Sequence, residues 1–323
     1  MTAHVRVPAS SSNLGAGFDC IGVAVDRWLV ASVTPTVGTG ISIRRGGRLT
    51  AVSVAFDEDL LARGFRAACA VAGAPATGAA IDATSDIPVG CGLGSSAAAI
   101  VAGVLLADAA LELNLSRRQI VEIAAAVEGH PDNVAPAVHG GAVLSVRTSS
   151  GLVSTPLSVA SGLELLLAVP PFPSDTKAAR AVLPKTLPHG DAVLAASRAA
   201  ALVQGLSTGD GALLGAALDD VLHVPFRRGR IPGYDAVVAA AQKTGAYGAT
   251  LSGAGSAILA IAPRERSTAV GGAMIAAWRE IGIEAELIEC PSAVAGATVT
   301  PSPGTAHLLP LTSHASSIIT ELS

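Results

Sequence analysis

The chain has 323 residues, half of them hydrophobic but only 3% aromatic, and a formal net charge of −4. Such a length suits two domains or one large one, with a core of Ala, Val, Leu and Ile rather than aromatic rings. No Lys/Arg cluster is longer than two residues, so nothing predicts nucleic-acid binding; Cys20, Cys69, Cys91 and Cys290 lack C-x-x-C spacing, which argues for reduced thiols over disulfides or zinc ligands.

The first residues, Met-Thr-Ala-His-Val-Arg-Val-Pro, have no apolar signal-peptide core. Residues 4–8 alternate and predict a short strand that Pro8 stops. Residues 9–20 form a polar loop with Asn13 and Asp19 beside two glycines. Two readings stand: an amide and a carboxylate facing a ligand, or a turn in which both bond their own backbone. Residues 23–33 and 40–54 read as strands of a meander. Residues 60–72 are helical by period, with Leu60, Leu61, Phe65 and Ala68 on one side.

After a strand at 78–85 comes Asp86-Ile-Pro-Val-Gly-Cys-Gly-Leu-Gly-Ser-Ser-Ala-Ala-Ala99. Glycine allows positive φ and a close backbone approach. Ser95 and Ser96 suit a helix N-cap, with helix continuing to 113. A helix start with free N–H groups behind a glycine loop suits an anion, most often phosphate, although a glycine-rich turn before a core helix reads the same way. A Walker A loop is excluded because no Gly-Lys pair exists, and a dinucleotide fingerprint because Ser95 occupies the third glycine position. The apolar run 97–107 is too short to span a bilayer. The expectation is a soluble cytoplasmic protein.

Ser116 and Gln119 match a capping box for a helix ending at Glu128-Gly-His-Pro-Asp-Asn-Val-Ala-Pro136. Glu128 there faces the negative end of the helix dipole, so either a bound cation or solvent must favour it. His130 lacks a partner at metal-ligand spacing and reads as a loop residue. A strand at 140–146 and a small, polar boundary zone at 149–161 precede a buried strand at 163–170. A short helix at 175–184 puts Thr176 and Arg180 on one face, and 191–206 and 211–222 look helical. Arg227, Arg228 and Arg230 crowd residues 223–233, as a solvated loop or as a clamp on a carboxylate or phosphate. A second glycine loop at 245–257 leads to a strand ending at 262, a helix at 269–281 and a strand at 284–288. Beyond Cys290 the periodicity is lost, which predicts an extended or partly disordered tail.

Three segments together resemble the GHMP small-molecule kinases and, within them, the homoserine kinases: Pro8-Ala-Ser-Ser-Ser-Asn-Leu-Gly-Ala-Gly-Phe-Asp19, Pro88-Val-Gly-Cys-Gly-Leu-Gly-Ser-Ser-Ala-Ala98 and Leu251-Ser-Gly-Ala-Gly-Ser256. The likeness spans roughly residues 4–290, and the first segment with Asp132-Asn-Val-Ala-Pro136 is what points to homoserine. The resemblance implies a two-domain α+β fold. Residues 1–160 would form an ATP-binding domain with a left-handed β-α-β crossover, and residues 161–290 a ferredoxin-like domain, with 291–323 as the tail. It implies that Pro88, Val89, Gly90, Cys91, Gly92, Leu93, Gly94, Ser95, Ser96, Ala97 and Ala98 wrap the ATP triphosphate. Ser96 and Glu128 would hold Mg2+. Asn13, Asp19 and Asn133 would take the amino and hydroxyl end of L-homoserine, Arg180 and Arg227 its carboxylate, and Thr176 would sit beside the transferred group. Asp132 stands near the reaction and His130 is a weaker candidate base; direct attack by the substrate hydroxyl is the expected mechanism. A homodimer, without nucleic acid or membrane, is implied as well. Cys91, Val224 and Ser256 depart from common family residues without removing a charged group. A mevalonate-type kinase would bring a lysine into the N-terminal segment, and residues 1–176 contain none. A kinase fold that binds nucleotide without turnover would be expected to lose Ser96, Glu128 or the arginines, and all are present.

Overall fold

The computed structural model describes residues 3–74, 78–290 and 294–301. β1 (Ala3–Asn13) and the 20-residue β2 (Gly17–Thr36) pair antiparallel from Ala3↔Val33 to Asn13↔Gly17. Pro8 does not stop β1. The register shifts between Pro8 and Ala9, a bulge that absorbs the proline. Ser10, Ser11 and Ser12, polar enough to read as loop, continue the strand and are buried.

β3 (Ile41–Gly47) is shorter than expected, because a 3-10 turn at Arg48–Ala51 takes over. α1 (Leu60–Val71) starts at Asp59, whose carboxylate accepts from the Ala62 amide, and leads to β4 (Gly78–Ser85). β4 pairs parallel with β3 and antiparallel with β2, so β2 and β3 are not neighbours and the expected meander does not form. Pairing across a helical crossover leaves no mark in the period of either strand.

α2 (Ser95–Leu111) is enclosed nearly all round, which its alanine-rich, uncharged first three turns permit. α3 (Arg117–Glu128) starts at the expected Ser116–Gln119 capping box, a feature that contributes about 1 kcal/mol. α4 (Val134–His139) precedes the hairpin of β5 (Ala142–Thr148) and β6 (Gly151–Leu157), and β5 joins β2 at residues 21–23. The small, polar zone at 149–161 therefore contains a strand of the first sheet.

A second sheet begins at β7 (Leu163–Val169). Between it and the next strand lie α5 (Thr176–Ala181), α6 (His189–Thr208), α7 (Gly211–Leu218), α8 (Val224–Arg227) and α9 (Tyr234–Lys243). β8 (Gly248–Leu251), β9 (Ile258–Pro263), α10 (Ser267–Arg279) and β10 (Glu286–Cys290) follow. The strands are all antiparallel in the order β10-β7-β9-β8. No element is predicted over residues 234–243 from the sequence. α9 forms there because Tyr234, Val237 and Ala241 recur at helical spacing and are buried against the second core. Apart from Phe65, Tyr234, Trp278 and cysteine or methionine, the buried hydrophobic residues are aliphatic.

The predicted tail needs correction. β11 (Thr298–Pro301) pairs with the start of β1 and becomes an edge of the first sheet, and Gly140 bridges to Ala295. Four residues are too few for alternation to show, and the partner lies at the other end of the chain. Residues 302–323 of that tail lie outside the described residues. Among the described residues no helix is long and apolar enough to cross a membrane.

Candidate active site

A cavity opens where the loop before α2 faces the ends of β1 and α3 and, from the second sheet's side, α5, α8 and the Gly253 turn. On one wall stands α2. Its N-cap is Gly94 in the left-handed conformation, not a serine, so no side chain caps the helix. Ser95 and Ser96 are first-turn residues, and the helix start faces the cavity with uncompensated N–H groups. Gly92 and Gly94 both have positive φ. A Cβ on Gly92 would overlap the Ser252 carbonyl, and one on Gly94 the Ser10 hydroxyl. The Leu93 carbonyl accepts from the Ser10 amide at 3.1 Å and the Cys91 carbonyl from the Ala257 amide at 3.0 Å. Backbone contacts thus fix the loop from both sheets.

The Ser96 hydroxyl donates to Glu128 Oε1 at 2.6 Å. Glu128 closes α3 before Gly129 and is half-buried, so the solvent-exposed reading fails. Burial raises its pKa, and the Ser96 bond only partly opposes that. A carboxylate placed against a helix C-terminus and desolvated needs positive charge nearby.

Not every residue of the expected ATP loop lines this cavity. Pro88, Val89 and Cys91 line a second one, shared with Arg48, Pro170 and Glu286. Cys91 Sγ points to the carbonyls of Val89, Pro170 and Phe172, and burial raises its pKa. Ala97 and Ala98 are buried inside α2, and the Ala98 amide donates to the Gly94 carbonyl at 2.9 Å. That amide is unavailable to a phosphate.

On the opposite wall, the Asp19 carboxylate accepts both guanidinium nitrogens of Arg180, at 2.7 and 3.0 Å. The Asp19 bond raises the Arg180 pKa further. Only Asn13 Oδ1 follows the turn reading, accepting from the Asp19 amide at 3.0 Å; its Nδ2 donates to the distant Gly253 carbonyl at 3.1 Å, and both Asn13 and Asp19 line the cavity. Asn133 is held by β1, accepting from Ser10 Oγ and donating to Ser12 Oγ, both at 3.0 Å. The His130 ring binds buried Asp132 at 2.6 Å. Burial opposes the His130 charge, but Asp132 and Glu128 outweigh it and raise the pKa. Thr176 opens α5, exposed, after its N-cap Asp175.

Arg227 is 3% exposed yet makes no ion pair among the described residues. Its Nε donates to the Ala179 carbonyl at 3.0 Å and Nη1 to the Gly253 carbonyl at 3.3 Å. Burial and then Arg180 lower its pKa, and the opposing pull of Asp19, Asp220 and Asp132 does not make up the difference. The solvated-loop reading of residues 223–233 is therefore wrong for Arg227. Exposed Arg228 instead pairs with Asp235.

Ser10, Ser11, Ser12 and Ser252 carry a part that sequence reading missed. Ser252 Oγ donates to the Gly92 carbonyl at 2.6 Å and meets Ser11 Oγ at 2.8 Å. The three consecutive serines were visible, but only their burial distinguishes a hydrogen-bonded pin from a loop.

The chain matches the family model for the GHMP kinases N terminal domain over residues 59–141 and that for GHMP kinases C terminal over residues 199–280. A homoserine kinase of Nostoc sp. is 42% identical over 282 residues, covering 87% of this chain and 93% of that protein. One from Gloeobacter violaceus is 42% identical over 289 residues, covering 85% and 92%. The crystal structure of homoserine kinase from Cytophaga hutchinsonii superposes with a TM-score of 0.84 at 30% identity, covering 93% of this chain and 97% of that one. The likeness to L. major mevalonate kinase is confined to the fold: at 18% identity it gives a TM-score of 0.66 over 89% of this chain and 96% of its own. The chain belongs to the GHMP kinases and, within them, to the homoserine kinases.

Proposed function

We propose that the chain transfers the γ-phosphoryl group of ATP to the side-chain hydroxyl of L-homoserine, giving O-phospho-L-homoserine and ADP, a step of threonine biosynthesis. The observation that carries this reading is one cavity lined by both an uncapped helix start and a buried, unpaired guanidinium. One suits a polyphosphate; the other suits the carboxylate of a zwitterion.

The amides of Gly90, Gly92, Leu93, Gly94, Ser95 and Ser96, which line the cavity, would cradle the phosphates. Ser96 and Glu128 fit Mg2+, a hard ion usually bound through one or two protein oxygens plus phosphate and water. The half-buried carboxylate beside a hydroxyl is such a donor pair, and among the described residues no larger metal cluster exists. Bound there, Mg2+ would neutralise charge on the β- and γ-phosphates. Asp19 and Arg180, paired in the structure, would bracket the α-amino and α-carboxylate groups, with Arg227 on the carboxylate. Asn13 and Asn133 would hold the walls and offer remaining lone pairs and protons to the amino and hydroxyl end. Thr176 would meet the transferred group.

The loose transition state asks for positioning and charge neutralisation more than for a strong base. Asp132, tied to His130, would orient the site while the substrate hydroxyl attacks directly. Asp132→Asn should then cost less than about a thousandfold in kcat, the loss general-base removal can reach. The boundary near residue 160, a left-handed hand for the β3-α1-β4 crossover, a ferredoxin-like C-terminal unit and a homodimer complete the proposal. The order β10-β7-β9-β8 supports the ferredoxin-like part.

The test is ADP release with Mg-ATP and homoserine, mevalonate, shikimate or no acceptor. Turnover with homoserine alone is expected. Turnover with another acceptor would overturn the Asp19, Arg180 and Arg227 assignments.

A further inference from the structure

His223 has no part in the chemistry described so far, yet it is the most enclosed histidine of the site region, with no exposed surface. It precedes α8, one turn before Arg227. Asp220 fixes the backbone there: its Oδ2 accepts from the His223 and Val224 amides, both at 2.7 Å, and its Oδ1 from Leu222 at 2.9 Å. Phe18 stacks on the imidazole with centroids 4.9 Å apart and planes 19° apart. The same Phe18 ring lies 5.3 Å from the Arg227 guanidinium carbon and 5.8 Å from that of Arg180.

The two ring nitrogens have different partners. Nε2 is 3.3 Å from the Gly15 carbonyl, which can only accept, so Nε2 carries the hydrogen. Nδ1 is 3.4 Å from Arg227 Nη1, which can only donate, so Nδ1 carries the lone pair. A neutral ring in a single tautomer satisfies both contacts; an imidazolium would set N–H against N–H and charge against charge. Burial lowers the His223 pKa, and Arg227 lowers it further against the opposing pull of Asp220.

We propose that neutral His223 is a positioning residue that fixes Arg227 for carboxylate binding by accepting from Nη1. With Nη1 shared between His223 Nδ1 and the Gly253 carbonyl, and Nε on the Ala179 carbonyl, the guanidinium plane is set on one edge. Nη2 has no hydrogen-bond partner among the described residues and is the part left for the cavity that Arg227 lines. Fixing a guanidinium before the ligand arrives lowers the ordering cost of binding. The inference rests on Arg227 acting as the carboxylate clamp.

The test compares homoserine with 3-aminopropan-1-ol, the same amino alcohol without the carboxylate, in the full-length protein with Mg-ATP. In the wild type, loss of the carboxylate should lower kcat/KM by about a hundredfold or more, the order expected for charge-assisted hydrogen bonds. His223→Phe keeps the stack on Phe18 and loses both nitrogens. It should raise the homoserine KM roughly tenfold, leave the ATP KM within about twofold and shrink the carboxylate penalty by the same factor. His223→Asn, whose Oδ1 can stand near the Nδ1 position, should recover most of that loss. If His223→Phe does not fold, His223→Gln carries the same expectation, since it reaches Gly15 but loses the acceptor facing Arg227.

Arg227→Lys separates the two claims. A wild-type carboxylate penalty in Arg227→Lys would overturn the clamp reading itself. A reduced penalty there, with an unchanged one in His223→Phe or His223→Gln, would overturn the role of His223 alone. Equal losses for homoserine and the amino alcohol, without rescue by Asn, would make His223 a packing residue only.

Discussion

The two walls of the cavity are built by different means. The phosphate wall is nearly continuous in sequence: Gly90 to Ser96 is one loop and one helix start, with Glu128 the single distant contribution. The acceptor wall draws Asp19 from β2, Arg180 from α5 and Arg227 from α8, and none is within forty positions of the next. A wall made from backbone depends on conformation; a wall made from charged side chains depends on where the fold carries them. Substitutions should therefore damage the first through geometry and the second through substrate affinity.

The largest effect is expected at the one carboxylate on the phosphate side. Glu128→Ala should lower kcat by about a thousandfold, the order of removing one preorganised group that answers transition-state charge. Excess Mg2+ should restore part of it, read from kcat across a magnesium titration. A fall confined to the homoserine KM would break the division of the two walls, since it would move Glu128 to the acceptor side.

Gly94→Ala should come next. The residue would need positive φ and its Cβ would overlap Ser10 Oγ, so roughly 2–4 kcal/mol of stability should be lost. ATP affinity should fall with it, measured by denaturant unfolding and calorimetric titration. An unchanged ATP affinity would show that the loop tolerates reshaping and that its backbone is not what holds phosphate.

The same division explains what could be read beforehand. The glycine loop, the Ser116–Gln119 capping box and the helical face of Thr176 and Arg180 are local, and local spacing displays them. The true N-cap at Gly94 could not be read, because serine and glycine both suit that position and the choice follows from contacts with Ser10 and Asn133. Burial of Arg227, the Asp19–Arg180 pair and the Ser11–Ser252 contact depend on segments far apart in the chain. β11 is the extreme case, four residues paired with the opposite terminus. Only the motif points the Ala98 amide at ATP, and the helix claims it.

Arg180→Lys probes the acceptor wall more gently. Lysine keeps the charge but loses the two-pronged contact with Asp19, so the homoserine KM should rise about tenfold while the ATP KM stays put. A rise in both would mean that closing the cavity, not holding the acceptor, is what the pair does.

The smallest effect concerns the loop between the walls and is a matter of pH. His130 takes up its proton more readily in the folded chain than its ordinary value of 6.5 allows. Its contribution to stability is then complete below 6.5 and disappears as pH rises through the higher folded value. Glu128 has a raised pKa too, and its sign is the same: stability falls with rising pH, but over a window that begins at its ordinary 4.5. The windows separate the residues. His130→Asn should flatten the upper part of the profile and leave a decline at its acidic end, read from Tm against pH. Parallel curves for the two proteins would mean that the His130–Asp132 bond, short as it is at 2.6 Å, does not change proton uptake by the imidazole and serves only to orient the loop carrying Asn133.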